Sequence, residues 1–410
     1  MLLLTAAAAL FLVLHGAAAL DWEANKNVPD IVAHWGYPCE TIHATTKDGY
    51  ILVMHRIPFG KNMKSSDKPK PVVFLQHGLL ANSNNWVTNL PHLALGFMLA
   101  DAGYDVWMGN VRGNLWSMDH TTLSNKDHAY WEFSKDHAFW QFSWDEMAKY
   151  DLDAMIDRAL LMSQQKSLYY VGHSQGTLIM FAKLSQDPEF ALKIRKFYAL
   201  APVATVKDIK GLLEFIAHKL AMPLEDLFKM FGWNQFLPDV KWMDGIKGAL
   251  CTLPFLDLAC DNVLFLIGGP ESNQMNSTRL DVFLTSEPSG TSTQNIIHWA
   301  QMVQTGLMQM YDYGSSELNK QKYGQVHPPL YDISKIKNTK IDIYWSPADW
   351  LADEKDVRNH LLKYLPKDVL ENNVVVPEFN HLDFVWGQRA ATELYLPVMD
   401  DIMQQRANGN

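Results

Sequence analysis

Cysteine is scarce in this chain: Cys39, Cys251 and Cys260 are all there are among 410 residues. A small scaffold stapled by many disulfides is thereby excluded, and stability must come from a packed core. In an oxidising compartment Cys251 and Cys260 are the natural pair, closing a short loop and leaving Cys39 free. Three buried thiols are the other reading that the residues allow. Basic clusters are also missing, and the net charge is −10. Nucleic-acid partners are therefore not expected, nor is electrostatic attraction to anionic membranes. No apolar run reaches the ~20 residues that a membrane-spanning helix needs, so no transmembrane anchor is expected. Glycosylation acceptors are reduced to one N-x-S/T tripeptide, Asn276-Ser277-Thr278. No metal or cofactor is expected.

What is present suits a large enzyme-sized fold. At 48% hydrophobic and 20% charged residues, the chain is long enough for one big domain with an insertion. Residues 1–19 are apolar and close on Gly16-Ala17-Ala18-Ala19, which reads as a secretory signal peptide without the usual basic start. The expected mature chain begins near Leu20, enters the secretory pathway, and ends in the lysosome or outside the cell.

Strand-like and helix-like stretches alternate through the first half. Tyr50–Arg56, Pro71–Gln76, Tyr104–Met108, Leu168–Val171 and Phe197–Leu200 read as strands. Ala94–Ala102, with Gly103 as its stop, reads as a helix, and Ser143-Trp144-Asp145-Glu146 as a capping box opening a long helix to about Gln165. Near Val206 the alternation gives way to apolar, helical patterning until about Gly324. Leu224, Leu227, Phe228 and Phe231 share one helical face there, as do Ile209, Leu212, Leu213 and Ile216. Alternation resumes with Ile341–Tyr344, a helix around Lys355–Leu365, the strand Val374–Val376 and a terminal helix. The expected architecture is α/β: a mostly parallel central sheet formed by residues 20–205 and 326–410, interrupted by a helical cap at 206–325. Lys126–Ser134 (KDHAYWEFS) is repeated at once as Lys135–Ser143 (KDHAFWQFS). Two copies are too few for a repeat architecture, and the segment reads as an expanded surface loop.

The chemistry centres on Gly172-His173-Ser174-Gln175-Gly176. By chance, roughly one chain in ten of this size would contain such a pentapeptide. Its weight comes from the strand before it and the helix after it, the context of a nucleophile elbow. A serine nucleophile needs a base, and the base needs an acid to orient it. In chain order the acid should follow the strand Ile341–Tyr344. Asp349 sits in that loop and is favoured over Asp353, which precedes Glu354-Lys355-Asp356-Val357 and reads as a helix N-cap. Two histidines remain beyond it. His360 falls inside a helix, whereas His381 follows the strand Val374–Val376. Ser174, Asp349 and His381 are the expected nucleophile, acid and base. Backbone N–H donors for an oxyanion are expected from Leu79, in the loop His77-Gly78-Leu79, and from Gln175.

With these residues in view, the chain resembles the acid lipase family, the relatives of gastric and lysosomal acid lipases. The likeness runs from Tyr37-Pro38 to Trp386-Gly387. It is carried by LQHGLL (75–80), DAGYDVW (101–107), GNVRGN (109–114), DEMAKYD (145–151), the elbow, LAD (351–353) and HLDF (381–384). It implies an α/β-hydrolase core with a cap and mobile lid, and hydrolysis of neutral-lipid esters at a lipid–water interface. It assigns nucleophile, acid and base to Ser174, Asp349 and His381, oxyanion donors to Leu79 and Gln175, and a cap disulfide to Cys251 and Cys260. The chain departs from it in the acid loop Ser346-Pro347-Ala348-Asp349, where relatives usually carry glycines, and at Gly268, where they often carry a cysteine. The expected function is therefore a serine esterase acting through an acyl-enzyme on triacylglycerol or cholesteryl esters, as a monomer. The competing readings are a carboxylesterase of small esters and a non-catalytic lipid-binding protein. The apolar cap argues against the first, and the presence of all three catalytic residues against the second.

Overall fold

Short runs of β-branched and aromatic residues supply the strands, and the central ones are buried along their whole length. The computed structural model describes residues 21–64, 69–125, 139–211, 214, 235–236 and 268–407. The expected signal peptide, the expected Cys251–Cys260 pair, the first copy of the duplicated segment and most of the apolar stretch between Val206 and Gly268 lie outside the described residues.

Counted along the chain, the strands are β1 (Glu40–Thr45), β2 (Tyr50–Ile57), β3 (Val72–Gln76), β4 (Asp105–Gly109), β5 (Asp119–His120), β6 (Leu168–His173), β7 (Ile194–Leu200), β8 (Gln235–Phe236), β9 (Thr291–Ser292), β10 (Ile341–Trp345) and β11 (Leu370–Val375). The main sheet runs β1-β2-β4-β3-β6-β7-β10-β11, with β5 paired to β2. From β4 to β11 every neighbouring pair is parallel. β1, β2 and β5 add an antiparallel wing. The mostly parallel sheet expected from the alternation is present. β8 and β9 form a separate two-stranded ribbon.

The helices include α1 (Val28–His34), α2 (Leu95–Asp101), α3 (144–163), α4 (Gln175–Gln186), α5 (Thr293–Thr305), α6 (354–362) and α7 (391–407). α3 opens on the expected capping box: Ser143 Oγ accepts from Asp145 N at 3.2 Å, and Glu146 Oε2 accepts from Ser143 N at 2.8 Å. Such caps contribute about 1 kcal/mol each. α3 carries a π turn at Met147–Asp151 and ends at Gln164 in the left-handed region. Trp86, Trp107, Trp144, Trp345 and Trp386 are all fully buried, and each buried aromatic of this size contributes on the order of 2–3 kcal/mol. No helix among the described residues is long and apolar enough to cross a membrane.

The second copy of the duplication is core material. Phe139, Trp140 and Phe142 are buried, Ser143 is the α3 cap, and the Phe142 ring closes over Gly113 so tightly that a Cβ there would lie 2.4 Å from Cζ. The surface-loop expectation for this copy is corrected at 139–143: its aromatic half packs inside.

The amino-terminal ends of β7, β10 and β11 are tied by a buried ammonium. Lys196 Nζ lies 3.0 Å from Asp342, 2.5 Å from Glu371 and 2.8 Å from Asp401 on α7. Three carboxylates around one buried cation meet the condition under which a buried charge is tolerated. The opposite, carboxyl-terminal edge of the sheet holds the site.

Candidate active site

Ser174 follows β6 directly and caps the start of α4 with φ 53° and ψ −121°, a conformation that L-residues avoid. Its N–H donates to Leu200 O at 3.1 Å, so the turn is anchored on the neighbouring strand. Gly176 is obligatory for a steric reason. A Cβ there would lie 2.5 Å from Gln76 O and 2.9 Å from His77 O. That approach presses the first turn of α4 against the end of β3. The same contact brings the loop 77–79 onto the serine: a Cβ on Gly78 would meet Ser174 Cβ at 2.9 Å.

His381 lies in the loop after β11, buried. Its Nδ1 is 2.9 Å from Asp349 Oδ2 and 3.0 Å from Oδ1. Asp349 is fully buried, and its Oδ1 also accepts from Leu351 N at 2.8 Å and Ala352 N at 2.9 Å, which fixes the carboxylate in place. Nε2 of His381 has no hydrogen-bond partner among the described residues. Asp353, the competing acid, is turned elsewhere. It caps α6 through Lys355 N at 2.8 Å and pairs with Lys210 at 2.5 Å. His360 lies on α6, in its π turn.

The base loop is held on its backbone as well. His381 N donates to Gly268 O at 2.9 Å, and Trp350 N reaches the same oxygen at 3.4 Å, so one carbonyl joins the acid and base loops. His173 Nε2 donates to His381 O at 2.9 Å. Burial drives the His173 pKa well down, with the nearby His381 adding to the effect, so it serves as a neutral donor. Asp383, two residues past the base, takes Asn380 N at 2.7 Å, and burial raises its pKa to about 6.

On the other side of Ser174, neither Leu79 N–H nor Gln175 N–H donates to a group among the described residues. His77 is fully buried, and burial lowers its pKa to about 4. Its Nε2 accepts from Val111 N at 3.3 Å and Asn114 Nδ2 at 3.2 Å, which leaves Nδ1–H to donate to Gly78 O at 2.8 Å. Gly78 O belongs to the same peptide as Leu79 N–H, so the imidazole sets the plane of that amide.

Strain concentrates at this edge. Of the non-glycine residues with positive φ among the described residues, Leu80, Ser174, Ala201 and Glu378 follow the carboxyl ends of β3, β6, β7 and β11. The other four are Asn25, Gln164, Asn273 and Asn338, mostly the asparagines that tolerate this region.

A buried serine on a strained elbow beside a histidine–carboxylate pair, with the nearby Leu79 and Gln175 amides unengaged, is the equipment of acyl transfer. Comparison with known proteins narrows the family. Residues 28–90 match the model of the partial α/β-hydrolase lipase region, and residues 71–246 match the α/β-hydrolase fold. The lipase lipl-3 of Caenorhabditis elegans is 50% identical over 93% of both chains. Rat lysosomal acid lipase/cholesteryl ester hydrolase is 46% identical over 93% of this chain and 92% of its own. Human gastric triacylglycerol lipase is 43% identical over 94% and 92%. The chain belongs to the acid lipase family. The solved structure of a soluble variant of monoglyceride lipase from Saccharomyces cerevisiae shares the fold, with TM-score 0.53 at 16% identity over 90% of this chain and 94% of that one.

In this acid lipase the five residues singled out from the sequence lie at the carboxyl edge of the sheet, four in the connections after the strands and Gln175 at the start of α4, and His381 and Asp349 are in direct contact. Cys39 is a free cysteine, and burial pushes its thiol pKa to about 12. Asn276 is half-exposed at a turn, its Oδ1 accepting from Thr278 Oγ1 at 2.8 Å. Sequence reasoning missed the groups that hold the site: the rings of His77 and His173, the carbonyl of Gly268, and the partners of Gln175. His77 and His173 adjoin residues already singled out and were open to the question of what their rings do. Gly268 and the Gln175 partners are brought in from far along the chain by tertiary contact alone.

Proposed function

We propose that this acid lipase hydrolyses carboxylic esters of neutral lipids, triacylglycerols or cholesteryl esters, by a double displacement on Ser174. The reading rests above all on the His381–Asp349 pair at 2.9 Å, set beside the elbow with Nε2 unpartnered. In the first displacement Ser174 Oγ attacks the ester carbonyl as Nε2 takes its proton. Asp349 steadies the imidazolium through Nδ1–H. Leu79 N–H and Gln175 N–H receive the oxyanion. Collapse passes the Nε2 proton to the departing alcohol and leaves the acyl group on Ser174. Water, deprotonated by the same nitrogen, then releases the fatty acid and restores the serine.

The names of the relatives, a cholesteryl ester hydrolase and a triacylglycerol lipase, favour bulky apolar esters. So does the apolar patterning of residues 206–325, which we assign as the cap and lid between the core segments 20–205 and 326–410. A secreted or lysosomal monomer, a Cys251–Cys260 disulfide and a glycan on Asn276 complete the proposal. The deciding experiment is reaction with a long-chain organophosphonate, followed by peptide mass mapping. The adduct is expected on Ser174 and absent from Ser174→Ala, which should lose at least ~10⁴-fold in kcat while folding normally. An adduct elsewhere, or turnover retained by the alanine variant, overturns the assignment.

A further inference from the structure

The two proposed oxyanion donors come from different strands, Leu79 after β3 and Gln175 after β6. One stretch of chain, residues 286–299, grips both. On the Leu79 side, Ser289 N donates to Leu80 O at 2.6 Å, Asn82 Nδ2 donates to Ser286 O at 2.8 Å, and Leu115 N donates to Ser289 Oγ at 2.9 Å. On the Gln175 side, the buried side-chain Oε1 accepts from Trp299 Nε1 at 2.7 Å and from Asn295 Nδ2 at 3.0 Å. Both partners are donors, so the Gln175 amide is locked in one orientation, with Nε2 turned 3.5 Å from Met147 Sδ.

Asn295 is itself fully committed. Its Oδ1 accepts from Trp144 N at 2.8 Å, and its Nδ2 also donates to Thr291 Oγ1 at 3.1 Å. Ser292 caps α5 by accepting from Asn295 N at 2.9 Å and also donates its hydroxyl to Phe142 O. The stretch is therefore bolted to the start of α3 and to the second copy of the duplication as well as to the site.

We propose that residues 286–299 form a clamp that sets the spacing and direction of the two oxyanion amides, and that Trp299 and Asn295 are positioning residues acting through the Gln175 side chain. The inference rests on the donor roles given to Leu79 and Gln175 above. The Gln175 side chain touches no reacting atom in this scheme. It holds the peptide whose N–H does. A donor misplaced by a fraction of an ångström loses part of its preference for the oxyanion over the ground-state carbonyl, so the loss falls on kcat and spares substrate binding.

The test compares Trp299→Phe, Asn295→Leu and Gln175→Met with the wild type in the full-length protein. Three quantities are read: kcat and KM on a soluble ester, Ki for a trifluoromethyl ketone, and Tm. The ketone reads the hole directly, because Ser174 Oγ adds to its carbonyl, His381 takes the proton, and the resulting oxyanion sits where the ester's would. Each variant is expected to lose about 10–50-fold in kcat, less than the ~10²–10³ typical of deleting a donor outright, with KM within about twofold. Ki should rise by the same factor as kcat falls. A kcat within about twofold of wild type in folded Gln175→Met and Trp299→Phe overturns the clamp. So does a loss of kcat with ketone affinity unchanged, which is the signature of a purely structural role. If one variant fails to fold, the smaller change in Trp299→Phe decides. Failure of the wild type to bind the ketone or accept the phosphonate at Ser174 strikes the site assignment itself, and is thereby distinguishable from failure of the clamp.

Discussion

The two halves of the site are held in opposite ways. The acid–base half is held directly: Asp349 is fixed by the backbone of its own loop and bonds His381 at 2.9 Å, while Gly268 and His173 hold the His381 backbone. The proposed oxyanion half is held indirectly: Leu79 lies in the loop after β3, Gln175 opens α4, and the Gln175 side chain is bonded by Asn295 and Trp299, 120 and 124 residues along. Groups that move protons need close contact with each other and little else. Groups that receive charge must sit still relative to a substrate that is not yet there, and in the proposed clamp α5 is what holds them. A substitution in the first half should therefore act on the chemistry at once, and one in the second half by degrees.

The largest effect expected in this contrast is Asp349→Asn, with a loss of ~10³–10⁴-fold in kcat and little change in fold. Asp353→Asn, by contrast, keeps a capping oxygen but loses the lysine pair, and should lower Tm modestly while leaving kcat within about threefold. The reverse ranking would move the acid. Gly78→Ala comes next. Its methyl must push the loop off Ser174 Cβ, displacing one donor, and about 10²-fold in kcat should go with it. An alanine variant with wild-type kcat would detach that loop from the oxyanion role.

Smaller effects come from titration beneath the clamp. Burial lifts Asp145 to about 7 from its ordinary 3.8, although Tyr311 N and Tyr331 OH hydrogen-bond the carboxylate at 2.8 Å. His298 on α5, 4.0 Å away, is lowered to about 4 by burial. A raised acid contributes stability that is complete below its unfolded pKa near 4 and is lost as pH rises through 7. A depressed histidine acts oppositely, losing stability as pH falls from about 6.5 toward 4. Thermal melts from pH 4 to 8 should show Asp145→Asn with a flatter decline toward neutral pH than wild type. An unchanged slope would show that Asp145 ionises in the folded state without cost. The smallest effect is expected from deleting residues 126–134. The second copy already supplies Phe139, Trp140, Phe142 and the Ser143 cap. Tm and kcat should stay at wild-type values; a large loss would mean that the first copy also bears on the clamp.

Much of this was readable in the sequence wherever a residue's role depends on its immediate neighbours. The elbow and the positions of Asp349 after β10 and His381 after β11 could be placed by strand order, and Asp353 gave itself away as a cap. β11 was harder. It begins at Leu370, earlier than the apolar Val374–Val376 suggests, because Glu371, Asn372 and Asn373 lie on an exposed edge where hydrophobic patterning is not required. β1, with the pattern Glu-Thr-Ile-His-Ala-Thr, escaped for a similar reason: only Ile42 and Ala44 face inward. Asn295 and Trp299 carry no motif. They read as ordinary cap-helix residues, because a hydrogen bond to a glutamine over a hundred positions away leaves no mark on local spacing.

The positive-φ residues at the catalytic edge have a consequence for how such a chain evolves. Ser174 is held in a backbone region costing on the order of 1–3 kcal/mol, a cost that glycine would not incur. Ser174→Gly should therefore melt higher than wild type even as it abolishes turnover. A duplicate gene relieved of its catalytic duty would find that substitution downhill. In the proposed mechanism the serine is thus kept against the preference of the fold that carries it.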